Sequence, residues 1–429
     1  MPRHLLSAAV LLLLVALIYC GSCEAAAVAA VSEPQPTQKP PSTVVLFQKT
    51  EDPQSSGVAG VAGLTEGKKV YGFAGHSLVH AGGVTVALAK ARYGPGLISD
   101  VGIWATCISC SGGGGGSSGC APLATNDAAP GTGCQWTKAV PSGSNGESGS
   151  LVFRYGPRAV VKGNKILLLL MSYKEPTGAG KPNSQGSWEA ALHEGTVADS
   201  SGSKSISWTA STTPPSSTLT NTFTTEMGKK KWRSFVDNAG RGVVHKSKVF
   251  FPLVAVGSES GVRVCTVISL AERNGETAGG GTWSFSSSVP MAEGCVAATL
   301  LEWKEKLLMV AVTELRRYRL YGSADAGATW TEMTGTHAHL LGDFLNGVEP
   351  GEGDDFITAT IDGTEVVLFA RRWHSYDNAT GATRSVLQLW VTDDRRLHPV
   401  GPISTEPPQS HDFSALLHTE DNGLFAMYE

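Results

Sequence analysis

Six of the eight cysteines, those that follow the predicted signal segment, are residues whose type and spacing could do chemistry: Cys107, Cys110, Cys120, Cys134, Cys265 and Cys295. In a chain bound for an oxidising compartment, an even number of cysteines predicts disulfides. The Cys107-x-x-Cys110 pair, with the two cysteines that follow it, also allows a zinc site. That alternative has irregular ligand spacing and a Gly/Ser run in its middle. The sequence leaves the pairing of the six open.

The N-terminus favours an oxidising compartment. Arg3 and His4 precede an apolar run from Leu5 to Tyr19, and the small residues Ala25 to Ala27 follow. This order is typical of a secretory signal peptide, which we predict over residues 1–27. The alternative is an uncleaved signal anchor, for which the run is short. We expect a secreted or cell-surface protein, with membrane contact only through such an anchor and no GPI signal.

Composition narrows the class of protein. The chain has 429 residues, a formal net charge of −4 and 17% charged residues, with no dominant basic field, which argues against nucleic acid as a partner. We predict a disordered linker over residues 28–45 and a single large β-domain over residues 46–429, without a C-terminal lectin-like domain. Asn378-Ala-Thr380 is a glycosylation sequon. No cofactor or metal is expected.

One eight-residue stretch matches the pattern S-x-D-x-G-x-T-W, which is called an Asp-box. Its matching residues are Ser323, Asp325, Gly327, Thr329 and Trp330. The aspartate can accept bonds from backbone amides across a tight turn, the glycine can adopt positive φ, and the tryptophan ring can be buried between strands. An Asp-box is typical of sialidase-like β-propellers, and its role is structural.

The Asp-box follows the fourth of six recurring hairpins, each made of an apolar strand, a short polar turn and a second apolar strand. The six segments are Ser77–Lys90, Arg158–Tyr173, Gly242–Val256, Leu300–Thr313, Thr358–Arg371 and Ala415–Tyr428. Regular repetition predicts an all-β fold, a six-bladed β-propeller of the sialidase type. Two β-sandwiches are the alternative, which the Asp-box disfavours. Since the last hairpin ends the chain, the last blade is expected to be incomplete.

Several stretches resemble the trypanosome trans-sialidase and sialidase superfamily, in family order over about residues 65 to 429. They are Ala89–Tyr93, Val160–Lys165, Gly294–Lys304, Leu315–Tyr321 and Leu387–Asp393, together with the Asp-box. The resemblance implies a site in which three arginines hold the substrate carboxylate, a geometry that suits guanidinium groups. Arg317 and Arg384 match two of them, and Ala74 stands in place of the first. Arg92 matches a sugar-binding arginine.

The resemblance also implies a tyrosine nucleophile whose proton is drawn by a glutamate. Glu302 matches the glutamate, but Phe413 occupies the tyrosine position and lacks the reacting oxygen. The acid/base aspartate expected after Arg92 is missing, and Glu429 matches a glutamate that fixes one arginine. General acid/base catalysis raises the reaction rate roughly 10²- to 10⁴-fold, so these losses together predict negligible turnover.

Three functional hypotheses follow. The first is a catalytically inactive, sialidase-fold protein that binds sialylated glycans or host surface proteins, or acts as a variable antigen. The second is an active exo-α-sialidase or trans-sialidase that cleaves or transfers terminal sialic acid. The third is a truncated product whose open sheet edge promotes aggregation.

Overall fold

The computed structural model describes residues 70–93, 101–110, 120–122, 136–140, 157–174, 187–200, 203–209, 232–237, 240–257, 263–271, 281–286, 294–315, 317–335, 355–376, 383–393, 395–404, 415–419 and 423–428. Within these ranges the regular elements are β-strands, and none of the ranges contains a helix long and apolar enough to cross a membrane. The predicted signal peptide and linker lie outside the described residues.

The described strands form six antiparallel sheets, numbered here as blades 1 to 6 in chain order. Blade 1 contains β1 (Gly72–Ala81), β2 (Val84–Arg92), β3 (Val101–Cys110), β4 (Cys120–Pro122) and β5 (Trp136–Val140). Blade 2 contains β6 (Arg158–Lys162), β7 (Lys165–Lys174), β8 (Ser187–Ser200) and β9 (Ser203–Thr209). Blade 3 contains β10 (Trp232–Asp237), β11 (Val243–His245), β12 (Lys248–Gly257), β13 (Arg263–Ala271) and β14 (Thr282–Phe285).

The remaining three sheets follow the same order. Blade 4 contains β15 (Cys295–Trp303), β16 (Lys306–Thr313), β17 (Tyr318–Ser323) and β18 (Thr331–Glu332). Blade 5 contains β19 (Asp355–Ile361), β20 (Thr364–Tyr376), β21 (Thr383–Thr392) and β22 (Leu397–Pro402). Blade 6 contains, among the described residues, β23 (Ala415–His418) and β24 (Leu424–Met427). All six predicted hairpins are confirmed.

The strands of the hairpins are continuous apolar runs because a neighbouring blade covers each of their two faces. In β16, for example, every residue after Lys306 is buried. Apolar side chains on alternate faces therefore pack against different neighbouring blades, as in other sheets that are covered on both sides.

Six apolar clusters lie at the six successive contacts between blades. The first four join blades 1 and 2, 2 and 3, 3 and 4, and 4 and 5. In the other two, Leu416 packs against blade 5, while Ala415 and Leu417 pack against blade 1. Blade 6 therefore closes the ring, which confirms the propeller over the β-sandwich alternative.

The innermost strands of the blades run in the same direction, so the ring has two different ends. Where the strands begin, the backbone N–H of Leu416 donates to Oδ2 of Asp355 at 2.8 Å. Where the first hairpins turn, Nζ of Lys162 donates to the carbonyl of Ser247 at 2.8 Å, and the N–H of Lys304 donates to Glu365. We call these the strand-start end and the hairpin-turn end.

The Asp-box lies at the hairpin-turn end of blade 4 and has the predicted geometry. Oδ1 of Asp325 accepts from the N–H of Thr329 at 2.8 Å, and Oδ2 accepts from its hydroxyl at 2.5 Å. These bonds, the hydroxyl bond foremost, lower the pKa of Asp325 from its ordinary 3.8 to about 2. Nε1 of the buried Trp330 donates to Ser286 of blade 3 at 3.2 Å. The Asp-box thus braces its own turn and also joins two blades.

Candidate functional site

Four of the predicted site positions lie at the strand-start end. Arg92 is the last residue of β2 and pairs with Gly72, the first residue of β1. Ala74 follows two residues later in β1. Arg317 directly precedes β17, and Arg384 is the second residue of β21. The fold therefore brings these positions to one end of the ring although they come from three blades.

Two further predicted positions, Phe413 and Glu429, lie outside the described residues. They flank the last hairpin in the sequence. Ala415, two residues after Phe413, pairs with Met427, two residues before Glu429. Asn378 also lies outside the described residues, so its predicted glycosylation remains a prediction.

The end of β2 holds Arg92 in a partly buried setting. Its backbone carbonyl accepts from the N–H of Tyr71 at 2.8 Å. The next residue, Tyr93, accepts a 2.8 Å bond from Nε1 of Trp104 and packs so closely on Gly102 that an added Cβ there would lie 2.6 Å from the tyrosine oxygen. Nε of Arg92 is buried and donates no hydrogen bond to a described residue. An anionic acceptor would satisfy this donor.

Arg317 reaches the predicted end of the ring but not its inner edge. It is exposed and lies before β17, the third strand of blade 4, where its backbone bonds Thr313. Arg384 lies on β21, likewise the third strand of its blade, so both positions are outside the innermost strands at this end. For Arg384 the backbone position is described, and it pairs with Ser375 near the end of β20.

The geometry contradicts the predicted role of Glu302. This residue lies at the hairpin-turn end, where β15 pairs Glu302 with Leu307 and Leu307 faces Ser323 of the Asp-box. Its Oε1 is 3.2 Å from Nδ1 of His245, a close approach without hydrogen-bond alignment. Glu302 is seven positions along β15 from Cys295 at the other end, which corresponds to roughly 23 Å of strand. Glu302 therefore cannot draw a proton from a group at the strand-start end.

The first residues of β15 themselves include no carboxylate. They are Cys295, Val296 and Ala297. Cys295 forms a disulfide with Cys265 of blade 3, and both are fully buried. The exposed Glu314, in the turn between β16 and β17, lies at this end as well: its backbone N–H donates to the carbonyl of Gly294, directly before β15, and its Oε2 would be 3.5 Å from a Cβ on Gly294. Sulfur and methyl groups occupy the part of the inner strand where an activating base would have to lie.

A charged pair that sequence reasoning missed joins several blades at the strand-start end of the ring. Nε and Nη2 of Arg241 donate to the two carboxylate oxygens of Asp355 at 3.2 and 2.7 Å. Arg241 also donates to the carbonyl of Leu416, while its own carbonyl accepts from Leu300. Asp355 is 2% exposed. This bidentate pair links blades 3, 4, 5 and 6, and we call it the channel pair.

A buried arginine in blade 5 was also missed. Arg371 is 1% exposed, and its guanidinium carbon lies 5.6 Å from the ring centre of Tyr318, at cation–π distance. Tyr318 immediately follows Arg317. The sequence signal was a charged residue directly after an apolar run, Val366 to Ala370, within β20, which predicts a buried side chain with a polar or aromatic partner.

The remaining cysteine predictions are partly tested. Cys265 and Cys295 form a disulfide, and Cys107 is also disulfide-bonded. A disulfide sulfur has no thiolate to offer, so Cys107 does not fit the zinc alternative. Among the described residues no cluster of three or more potential metal ligands occurs. Cys110 faces Cys120 in the register of β3 and β4.

Comparison with known proteins places the chain in a family. The model of the BNR repeat-like domain matches residues 76–429. The chain belongs to this family, within the trypanosome sialidase and trans-sialidase superfamily. It is 32% identical over 278 residues to sialidase 85-1.1 of Trypanosoma cruzi, covering 62% of this chain and 34% of that protein. A second T. cruzi sialidase is 28% identical over 275 residues, covering 64% of this chain and 22% of the relative.

Solved structures of the superfamily have the same fold. Trypanosoma rangeli sialidase with the inhibitor DANA superposes with a TM-score of 0.58 at 24% identity, covering 84% of this chain and 53% of the sialidase. A mutant of that sialidase displaying trans-sialidase activity gives a TM-score of 0.59 at 24% identity, covering 86% of this chain and 54% of the mutant. At this identity the likeness establishes the sialidase-type propeller. The matches cover about a third or less of the curated relatives, so their activity does not transfer with the family assignment.

Proposed function

We propose that this member of the superfamily binds sialylated glycans at the strand-start end and does not cleave them. The observation that carries the proposal is the separation of Glu302 from the other predicted site positions, by roughly the length of β15. A phenol with a pKa near ~10 needs a neighbouring base, and at position 413 the phenol is itself replaced by phenylalanine. Two independent parts of the reaction are therefore lost.

Binding requires less than turnover does. A carboxylate ligand can be held by guanidinium groups alone, and Arg92 and Arg384 both lie at the strand-start end. Nε of Arg92, buried and without a described acceptor, favours an anionic ligand. Trypanosoma rangeli sialidase has been solved in complex with sialic acid, which makes a sialic acid carboxylate the natural candidate.

The location of the protein belongs to the same proposal. The apolar run before residue 20 supports passage through the secretory pathway. A secreted or surface protein would expose its strand-start end to sialylated glycans or surface proteins of a host cell. A role as a variable antigen is compatible with such exposure and needs no intact site. Binding that depends on sialic acid distinguishes the ligand-binding role from a purely antigenic one.

The second candidate is an active exo-α-sialidase or trans-sialidase, favoured by the names of the curated relatives. It requires a nucleophile and a base from residues other than Phe413 and Glu302. Hydrolysis of a sialoside decides between the two candidates.

The binding test compares 3′-sialyllactose with lactose by calorimetry on the purified secreted protein. We expect measurable affinity for the sialylated sugar only. Replacing Arg92 or Arg384 by Gln should weaken binding roughly 10- to 100-fold, since a charge-assisted bond is worth about 1.5–3 kcal/mol. Arg319→Gln is the matched control, because this exposed arginine pairs with Glu332 at 3.0 Å. Equal affinity for both sugars, or equal loss in the control, would contradict the proposed site.

A further inference from the structure

The hairpin-turn end carries a cluster of lysines that the proposed function does not use. They lie at the first hairpin turns of three consecutive blades, 2 to 4, and we call them the lysine arc. Its members are Lys162, Lys246, Lys248, Lys304 and Lys306; Lys165, opposite Lys162 across the same turn, is left out because it forms an ion pair with Glu194. Lys246, Lys304 and Lys306 are exposed, and the other two are partly exposed. The arc stands out because the whole chain has a formal net charge of −4.

Contacts between neighbouring turns show that the arc is continuous. Lys162 of blade 2 donates to the carbonyl of Ser247 in the turn of blade 3 at 2.8 Å. His245, next in the chain to Lys246, lies 3.2 Å from Glu302 of blade 4. The lysines therefore belong to one surface, not to separate loops.

Acidic neighbours only partly balance this surface. Glu302 lies beside His245, and Glu305 is exposed in the same turn as Lys304. Glu365 of blade 5 accepts the backbone N–H of Lys304, and Glu194 pairs with Lys165, which is outside the arc. The Asp-box adds a further exposed carboxylate, Asp325, at this end of blade 4. The five lysines of the arc thus outnumber the three described carboxylates at this end of blades 2 to 4 that no lysine or arginine neutralises in a described ion pair, which are Glu302, Glu305 and Asp325.

The backbone of two of these turns favours a functional role. Lys246 and Ser247 have φ of 46° and 67°, and Lys304 and Glu305 have φ of 51° and 60°. In blades 1, 2 and 5 a glycine occupies at least one position of the same turn with positive φ. Residues other than Gly, Asn and Asp are strained at positive φ, so substitution by glycine would stabilise both turns. Two adjacent blades retain lysine where the fold alone would favour glycine.

We propose that the lysine arc binds a linear sulfated polysaccharide. Single charges spaced along three adjacent turns match a chain of repeated anionic groups, whereas a small anion would need convergent donors. The described residues of these turns include no exposed large apolar side chain of the kind that anchors a protein in a lipid surface. The arc is at the opposite end of the ring from Arg92, so the two ligands do not compete.

The test measures binding of a heparin oligosaccharide over a salt series, with a fully desulfated oligosaccharide as the negative probe. The main variant is Lys246→Gly with Lys304→Gly, which removes two charges and also relieves both strained turns. We expect Kd to rise about tenfold at low salt and the slope of log Kd against log salt to fall by about 1.4 to 1.8, by the counterion-release relation. The melting temperature should rise, so weaker binding cannot be ascribed to unfolding.

Two controls make the result specific. Lys246→Arg with Lys304→Arg keeps the charge and should keep the affinity. Arg263→Gln with Arg319→Gln removes the same charge outside the arc and should leave Kd within about twofold. Wild-type affinity in the glycine variant, or an equal loss in the second control, would overturn the proposal. Tighter binding to phosphatidylserine vesicles than to heparin would overturn it in favour of a membrane surface.

Discussion

The two ends of the ring differ in what holds them together. At the strand-start end, the channel pair connects four blades through a buried carboxylate and a guanidinium group. At the hairpin-turn end, local turn geometry dominates: positive-φ residues, the Asp-box and its tryptophan. The Asp-box matches its pattern fully, while Ala74 and Phe413 differ from the residues that the superfamily resemblance predicts at those positions. Under the proposed function, the scaffold is therefore kept where the chemistry is not.

The largest expected effect tests the channel pair. Asp355→Ala leaves the partly buried Arg241 without its carboxylate and also removes the acceptor for the N–H of Leu416, so we expect a loss of about 3–5 kcal/mol in the free energy of unfolding. Urea denaturation measures it. Glu332→Ala is the control, because that glutamate pairs with Arg319 in the open and should contribute at most about 1 kcal/mol. Equal effects would show that blade 6 is held by its apolar contacts alone.

A smaller effect is expected from the Asp-box glycine. Gly327 has φ of 81°, and a Cβ there would lie 2.4 Å from Cε1 of Phe250 in blade 3. Gly327→Ala should therefore destabilise the protein by about 2–4 kcal/mol through strain and overpacking. Gly335→Ala is the matched control, because φ is 91° but nothing lies within 4 Å of its Cβ. We expect about 1 kcal/mol there, and equal losses would exclude the contact between blades as the cause.

The smallest effect concerns acid stability at the hairpin-turn end. Because the pKa of Asp325 falls from 3.8 to about 2 on folding, its carboxylate stabilises the folded state above pH 3.8. That contribution is lost as the pH falls through about 2. The difference in melting temperature between the wild type and Asp325→Asn should therefore be largest at neutral pH and narrow between these two values. A difference that does not change with pH would show that packing, not charge, sets the role of Asp325.

Local features of the fold were predictable from the sequence, and contacts across the ring were not. Gly82-Gly83 and Lys162-Gly163-Asn164 mark turns because glycine adopts positive φ there, and the Asp-box bonds fall within seven residues. Arg241 and Asp355 are 114 residues apart, and no local pattern joins them. Glu302 was misplaced for a related reason. A match of short stretches gives a position along β15 but does not say which end of the ring that position occupies.

The most direct test of the proposed loss of turnover uses a fluorogenic sialoside. The purified protein and a Phe413→Tyr, Ala74→Arg variant are assayed together, with Trypanosoma rangeli sialidase as the positive control. We expect no hydrolysis above the buffer blank from either form, because restoring the phenol and one arginine does not supply a base at the strand-start end of β15. Hydrolysis by the unmodified protein would identify it as an enzyme. Hydrolysis by the variant alone would show that another carboxylate serves as the base, contradicting the inference drawn from Glu302.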